Sequence, residues 1–121
     1  NFSSALQSKQ RALDIRVKLF SEEHPDTAES YFSIGVTQHA LGNFSSALQS
    51  HQHAIEMRVK LFGEEHPDTA ECYLSLGVTQ HASGDVSSAL QSYQHALDIN
   101  SKLFGEEHPD TAECYFSLGL T

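Results

Sequence analysis

The sequence predicts an all-α fold, an α-solenoid of antiparallel helix pairs, and three observations carry the prediction. A motif recurs along the chain at a spacing of 42 residues: EEHPDTAE opens at Glu22, Glu64 and Glu106, and SSALQS opens at Ser3, Ser45 and Ser87. A fixed period in this range, free of insertions, marks a stack of units that each pack on their neighbours. Within a unit the apolar residues fall three and four apart, the spacing of a helix, and nowhere alternate as a strand would. Caps and breaks then divide each unit into two helices. The copies are 1–42, 43–84 and 85–121, and neighbours agree at about three quarters of their positions. Residues 1–121 thus read as a single repeat array.

The elements follow in order. The first helix, over 2–20, repeats the pattern of the third. The second, over 25–41, opens at His24-Pro25-Asp26-Thr27 and breaks at Gly42. The third, over 44–62, holds the helical spacing through Phe44, Ala47, Leu48, Ala54, Ile55, Val59 and Phe62. Asn43 stands before it as a side-chain cap for free amides. Gly63 follows it, where a left-handed helix end wants no Cβ, and Arg58 and Lys60 near that end suit the helix dipole. The fourth, over 67–83, begins at Pro67, since proline is favoured in a first turn. Glu64, Glu65 and Asp68 put negative charge at its positive end. It runs through Ala70, Tyr73, Leu74, Leu76, Gly77 and Val78 to a break at Gly84. The fifth, over 86–104, lies between a capping Asp85 and Gly105, and the sixth covers 109–121. The helix order is second-type, first-type, three times over.

Charge and composition exclude several functions. Seven Lys and Arg against sixteen Asp and Glu leave a net charge of −9. Such a chain gains nothing from counterion release on a phosphate backbone, which argues against nucleic acid, and anionic membrane surfaces repel it. No apolar run approaches the roughly 18 residues of a membrane span. The N-terminus Asn-Phe-Ser-Ser has no basic region followed by an apolar stretch, so no signal peptide is expected.

The residues resemble a known family. Tyr31, Ile34-Gly35, Gly42, Phe44, Ala47 and Ala54 are similar to the tetratricopeptide repeat, and the pattern recurs as Tyr73, Leu76-Gly77, Gly84, Val86, Ala89 and Ala96. The 42-residue length and the GEEHPDTA loop resemble the long repeats of kinesin light chains and nephrocystin-like arrays. The resemblance implies a right-handed superhelix acting as a scaffold for a protein or peptide partner. Two departures stand out: Gln38 and Gln80 replace the family's second aromatic in the first helix, and Val59 and Ser101 replace its closing proline.

The resemblance also implies a concave groove lined by the first helix of each pair. Carried over position by position, the groove candidates are Glu29, Phe32, Val36, His39 and Ala40, then Glu71, Leu74, Val78, His81 and Ala82, then Glu113, Phe116 and Leu120. They form an apolar ridge flanked by Glu and His. The bland alternative is that Phe32 and Val36 pack on the neighbouring first helix. Family members that clamp acidic C-termini use basic and amide groups in the groove; here Phe32 and Val36 hold two of those positions. All seven basic residues lie on second helices. An apolar or basic peptide is the better match to this lining. Both ends are expected to be cut within a repeat, which makes head-to-tail self-association, or a spacer role, the alternative function.

Catalysis is not expected. No phosphate loop, nucleophile elbow or metalloprotease helix motif is present, and every carboxylate pair, from Glu22-Glu23 to Glu106-Glu107, recurs with the repeat. The paired Glu residues sit at helix starts, where they complement the dipole. His51 and His53 are two apart and face different ways on a helix, so no metal site and no cofactor is implied. The eight histidines leave a pH response open. Cys72 and Cys114, one repeat apart, stand about 10 Å from one another in stacked helices, beyond the roughly 7 Å limit for a bridge. Free thiols suggest a reducing, cytoplasmic setting.

Overall fold

The computed structural model describes residues 2–20 and 24–120, the side chains of Phe20 and Leu120 excepted. All regular structure among the described residues is helical: α1 (Phe2–Phe20), α2 (Pro25–Ala40), α3 (Phe44–Phe62), α4 (Pro67–Ala82), α5 (Val86–Phe104) and α6 (Pro109–Leu120). The Glu22-Glu23 pair lies outside the described residues. α2 and α4 stop one residue before the boundary the sequence suggests. Leu41 and Ser83 are their C-caps, with N–H groups donating to the carbonyls of Thr37 and Thr79 at 3.0 Å.

The tight turns after α2 and α4 follow from one residue type. Gly42 and Gly84 have φ of +82° and +94°, a region that strains any residue with a Cβ. In that conformation the amide of Gly42 reaches His39 O (2.9 Å), and that of Asn43 reaches Gln38 O (2.9 Å). The same pair of bonds forms at Gly84 and Asp85, satisfying carbonyls the helix end would leave open. The next helix starts at once: Asp85 Oδ1 accepts from the Ser88 amide at 3.2 Å, which holds the Asp85 carboxyl below its usual range.

Entry into the first helices uses an imidazole. Nδ1 of His24, His66 and His108 accepts from the amides of Asp26, Asp68 and Asp110, each at 3.1 Å. An Nδ1 that accepts a hydrogen bond offers a lone pair and carries no proton. Two of the rings are held flat by a phenylalanine ending the preceding helix: Phe62 stacks on His66 at 4.5 Å and Phe104 on His108 at 4.2 Å. Thr69 and Thr111, both fully buried, donate through Oγ1 to Gly63 O (3.0 Å) and Gly105 O (2.8 Å), tying each loop to the helix it leads into.

The chain divides into two compact units, Asn1–Leu61 and Phe62–Thr121. In the first, α1 packs on α2, and Ile34, Ala47, Ala54, Ile55 and Met57 are buried. A Cβ at Gly35 would stand 2.7 Å from the His51 ring, so the glycine is what lets that ring lie against the α2 backbone. In the second, α5 packs on both α4 and α6. Ala96, Leu97 and Cys114 form its centre, with Tyr73, Leu74 and Leu118 against them. Gly77 admits the Tyr93 ring, 2.5 Å from where a Cβ would be. Small residues at these crossings bring the helix axes close.

Candidate functional site

The first helices distribute the groove candidates over two environments. Glu29, Val36 and Ala40 on α2 are exposed, as are Glu71, Val78, His81 and Ala82 on α4 and Glu113 and Phe116 on α6. Val36 and Val78 leave 45% and 44% of their surface in water, a repeated apolar spot seven residues from a glutamate. Seven residues are two helical turns, so each valine and its glutamate share one stripe.

Phe32 and Leu74 behave differently, for both are half-buried. Phe32 lies beneath the Arg58 guanidinium, 4.8 Å from the ring centroid, and its ring is 5.9 Å from that of His51. Leu74 packs on the Ala96, Leu97 and Cys114 cluster. Phe32 thus meets residues of the following second helix, and Leu74 a cluster shared by α5 and α6. His39 is half-buried with its ring edge-on to Phe44 at 5.2 Å. The Leu120 side chain lies outside the described residues.

The basic residues of the second helices are not all turned away from the first helices. Lys9 Nζ donates to Thr37 Oγ1 (2.7 Å) and Ser33 O (3.4 Å), and Arg16 donates to Asp26 O (3.1 Å) and Ser30 Oγ (2.5 Å). With Ala12, Glu29, Ser30 and Ser33 they line a cavity of about 230 Å³ between α1 and α2. Second-helix numbering alone hides this, because long Lys and Arg stems reach across a helix contact.

A polar cluster that the sequence reading passed over tops the second unit. Tyr73 stacks on His95 with centroids 3.9 Å apart. Glu64 accepts from Tyr73 OH (3.2 Å) and meets His95 Nε2 at 2.8 Å. Lys102 Nζ reaches Glu65 at 2.9 Å. Burial first, and then the Glu64 charge, push the Tyr73 hydroxyl up to about 12. The stacking recurs in the first unit, where Tyr31 lies on His53 at 4.0 Å. The signal was present as a constant offset of 22 between each tyrosine and its histidine.

His51 is enclosed, at 1% exposure, and its Nδ1 has no hydrogen-bond partner. Burial first, and the nearby His39 second, lower its basicity to about 4. Cys72 and Cys114 form no disulfide among the described residues, and both are fully buried. Asn100 Nδ2 donates to Cys114 Sγ at 3.4 Å, while burial pushes that thiol up. Among the described residues no three His, Cys, Asp or Glu side chains converge as a metal site, and no described helix is long and apolar enough to cross a membrane.

Comparison with known proteins bears on this arrangement. The solved structure of BtubC (BKLC) from P. vanneervenii superposes with a TM-score of 0.91 at 26% identity, over 98% of this chain and 48% of that one. A Podosopora anserina putative kinesin light chain with nearly identical TPR-like repeats gives 0.89 at 21% identity, over 98% and 56%. A point variant of it gives the same values. The chain therefore spans about half the length of these two structures. No curated protein sequence matches it. Residues 1–59 and 47–102 match the family described as tetratricopeptide repeat. With six helices in pairs among the described residues, glycines at the helix crossings and solved neighbours of the kinesin light chain kind, the chain belongs to the tetratricopeptide repeat family, as an all-α solenoid.

Proposed function

We propose that the chain is a non-catalytic interaction scaffold whose first helices hold an apolar or basic peptide, or a partner helix, by equilibrium binding. Tetratricopeptide repeats mediate protein–protein interaction, and such proteins are generally scaffolds without catalysis. One observation carries the finer reading: Val36 and Val78 are exposed at the same repeat position, each two turns from an exposed glutamate, Glu29 or Glu71. A side chain of the partner that pairs an aliphatic body with a cation complements such a stripe. Ala40 extends the stripe on α2, and His81 and Ala82 that on α4, whereas Phe32 and Leu74 serve packing.

The test uses fluorescence anisotropy with two synthetic probes, a peptide of alternating Leu and Lys and one of alternating Leu and Glu. The Leu/Lys probe is expected to bind and the Leu/Glu probe to fail. Val36→Asp combined with Val78→Asp makes the chain more acidic, so attraction by charge alone would strengthen. Direct contact with the valines instead weakens binding by about tenfold or more. Unchanged or tighter binding by the double variant, or no binding of the first probe, rejects the proposal.

A further inference from the structure

Lys9, His51 and Tyr93 share one place in the repeat, and it is the one place where all three copies carry different residues. Of the eight histidines His51 alone is buried, at 1% exposure. Its ring lies on the α2 backbone, with Cε1 and Nδ1 at 2.7 and 2.8 Å from where a Gly35 Cβ would stand. Nδ1 finds no hydrogen-bond partner there. In the second unit Tyr93 fills the same space over Gly77, at 4% exposure. A phenol gains no proton in mild acid, whereas an imidazole does.

The charged groups described around the His51 ring in the first unit are basic. On α2, His39 is close enough to act on it electrostatically. On α3, Arg58 is itself buried and lies over Phe32, whose ring is 5.9 Å from that of His51. From α1, Lys9 Nζ reaches Ser33 O and Thr37 Oγ1, each two residues from Gly35. The described acids of this unit, Asp14, Asp26, Glu29 and Glu56, are exposed. An imidazolium at this place is a buried charge among groups of its own sign, which is costly.

We propose that His51 is an acid-operated latch: its protonation parts α2 from α3 within the first unit, while the α4–α5 contact, closed by Tyr93 on Gly77, stays shut. The neutral ring fills the space beside Gly35 and holds the two helices together. The protonated ring needs water, which the closed contact excludes and a parted one admits. Parting breaks the 2.6 Å bond that Ser50 donates to Gln38 and the stack of Tyr31 on His53. Enclosed, the imidazole takes its proton near 4; released, it does so near 6.5. The closed form is therefore fully favoured above pH 6.5 and loses ground as the pH falls toward 4. At pH 4.5 the balance shifts toward the open form by on the order of fiftyfold relative to pH 7.5. α2 also carries Glu29 and Val36, so the latch acts on one helix of the proposed peptide stripe, yet it stands without that reading.

Hydrogen exchange at pH 7.5 and pH 4.5, corrected for the intrinsic effect of pH on exchange, follows both contacts in one molecule. Amides of α2 and α3 are expected to lose protection by on the order of fiftyfold at the lower pH, and those of α4 and α5 to keep theirs. Two variants, each first shown to be as protected as the wild type at pH 7.5, test the assignment. His51→Tyr carries the residue that the fold accepts over Gly77, and is expected to keep α2 and α3 protected at pH 4.5. Tyr93→His is expected to bring the acid response to α4 and α5. Equal loss of protection in both units of the wild type would mean global unfolding and would overturn the latch. So would an α2–α3 response that survives His51→Tyr, or a Tyr93→His chain whose α4 and α5 ignore acid.

Discussion

Gln80 accepts a 2.6 Å hydrogen bond from Ser92 Oγ, joining α4 to α5, and one repeat earlier Gln38 accepts from Ser50 at the same distance. The glutamines stand where the family places an aromatic, and the structure supplies the reason a polar group is tolerated there. The second helix presents a serine twelve residues on, so the amide oxygen is satisfied at the helix contact. Ser92→Ala strands that oxygen and is expected to cost about 1 kcal/mol. Replacing both partners, Gln80→Leu with Ser92→Ala, removes donor and acceptor together and is expected to cost less than the single change. Urea denaturation of the two variants decides it; equal losses would show that the bond contributes nothing specific.

His66 offers a second measurement. Its Nδ1 caps α4 through the Asp68 amide, and its ring stacks on Phe62. His66→Ala removes the cap and is expected to cost about 1 kcal/mol, while His66→Asn keeps an acceptor at the same position and is expected to recover most of it. Equal destabilisation by the two variants would assign the effect to ring stacking instead.

The all-α repeat was legible because the information was written three times: period, glycine breaks and helical spacing coincide, and the glycines do adopt positive φ. The histidine caps were less legible, since imidazole is not among the side chains that commonly cap helices. Only the geometry reveals Nδ1 aimed at the amide two residues on. The surroundings of the groove candidates were half legible. Helical spacing places Phe32 and Val36 four residues apart on one side of α2, but it cannot say which of two side chains on that side meets a neighbouring helix. Packing decided it, through Arg58 and His51 in one unit and the cluster shared by α5 and α6 in the other. The reach of Lys9 and Arg16 across to α2 was likewise invisible, because helix assignment locates a Cα and not the end of a long side chain.

His51 gives the fold an acid limit. In the unfolded chain an imidazole takes up its proton near 6.5; in the folded chain burial, and then His39, hold it back to about 4. Among the described residues that face it, Gly35 and Phe32 press on the ring, and Arg58 lies over Phe32. Between the two values the unfolded state binds more protons, so this contribution is complete above pH 6.5 and is lost as the pH falls toward 4. The loss is on the order of 3 kcal/mol. His51→Tyr, the residue found at the equivalent Tyr93, cannot take that proton. Its stability is expected to fall less than the wild type's between pH 7 and pH 4.5, by urea denaturation at each pH. Parallel losses in the two proteins would assign the acid sensitivity to other groups.

The two helix-crossing glycines and Gly119 make a last, internally controlled comparison. A Cβ at Gly77 would stand 2.5 Å from the Tyr93 ring and at Gly35 2.7 Å from His51, while at Gly119 it meets nothing. Alanine gains about 1 kcal/mol over glycine from helix propensity. At Gly77 that gain is opposed by an overpacked contact costing about 1–3 kcal/mol, because Tyr93 is 4% exposed and has little room to retreat. Gly77→Ala is therefore expected to destabilise the chain. Gly119→Ala, close to the end of α6, is expected to leave unfolding in dilute solution unchanged within about 0.5 kcal/mol. Thermal or urea unfolding of both variants separates the two outcomes. Equal unfolding losses at Gly77 and Gly119 would mean that the close approach of Tyr93 to α4 is not what requires the glycine.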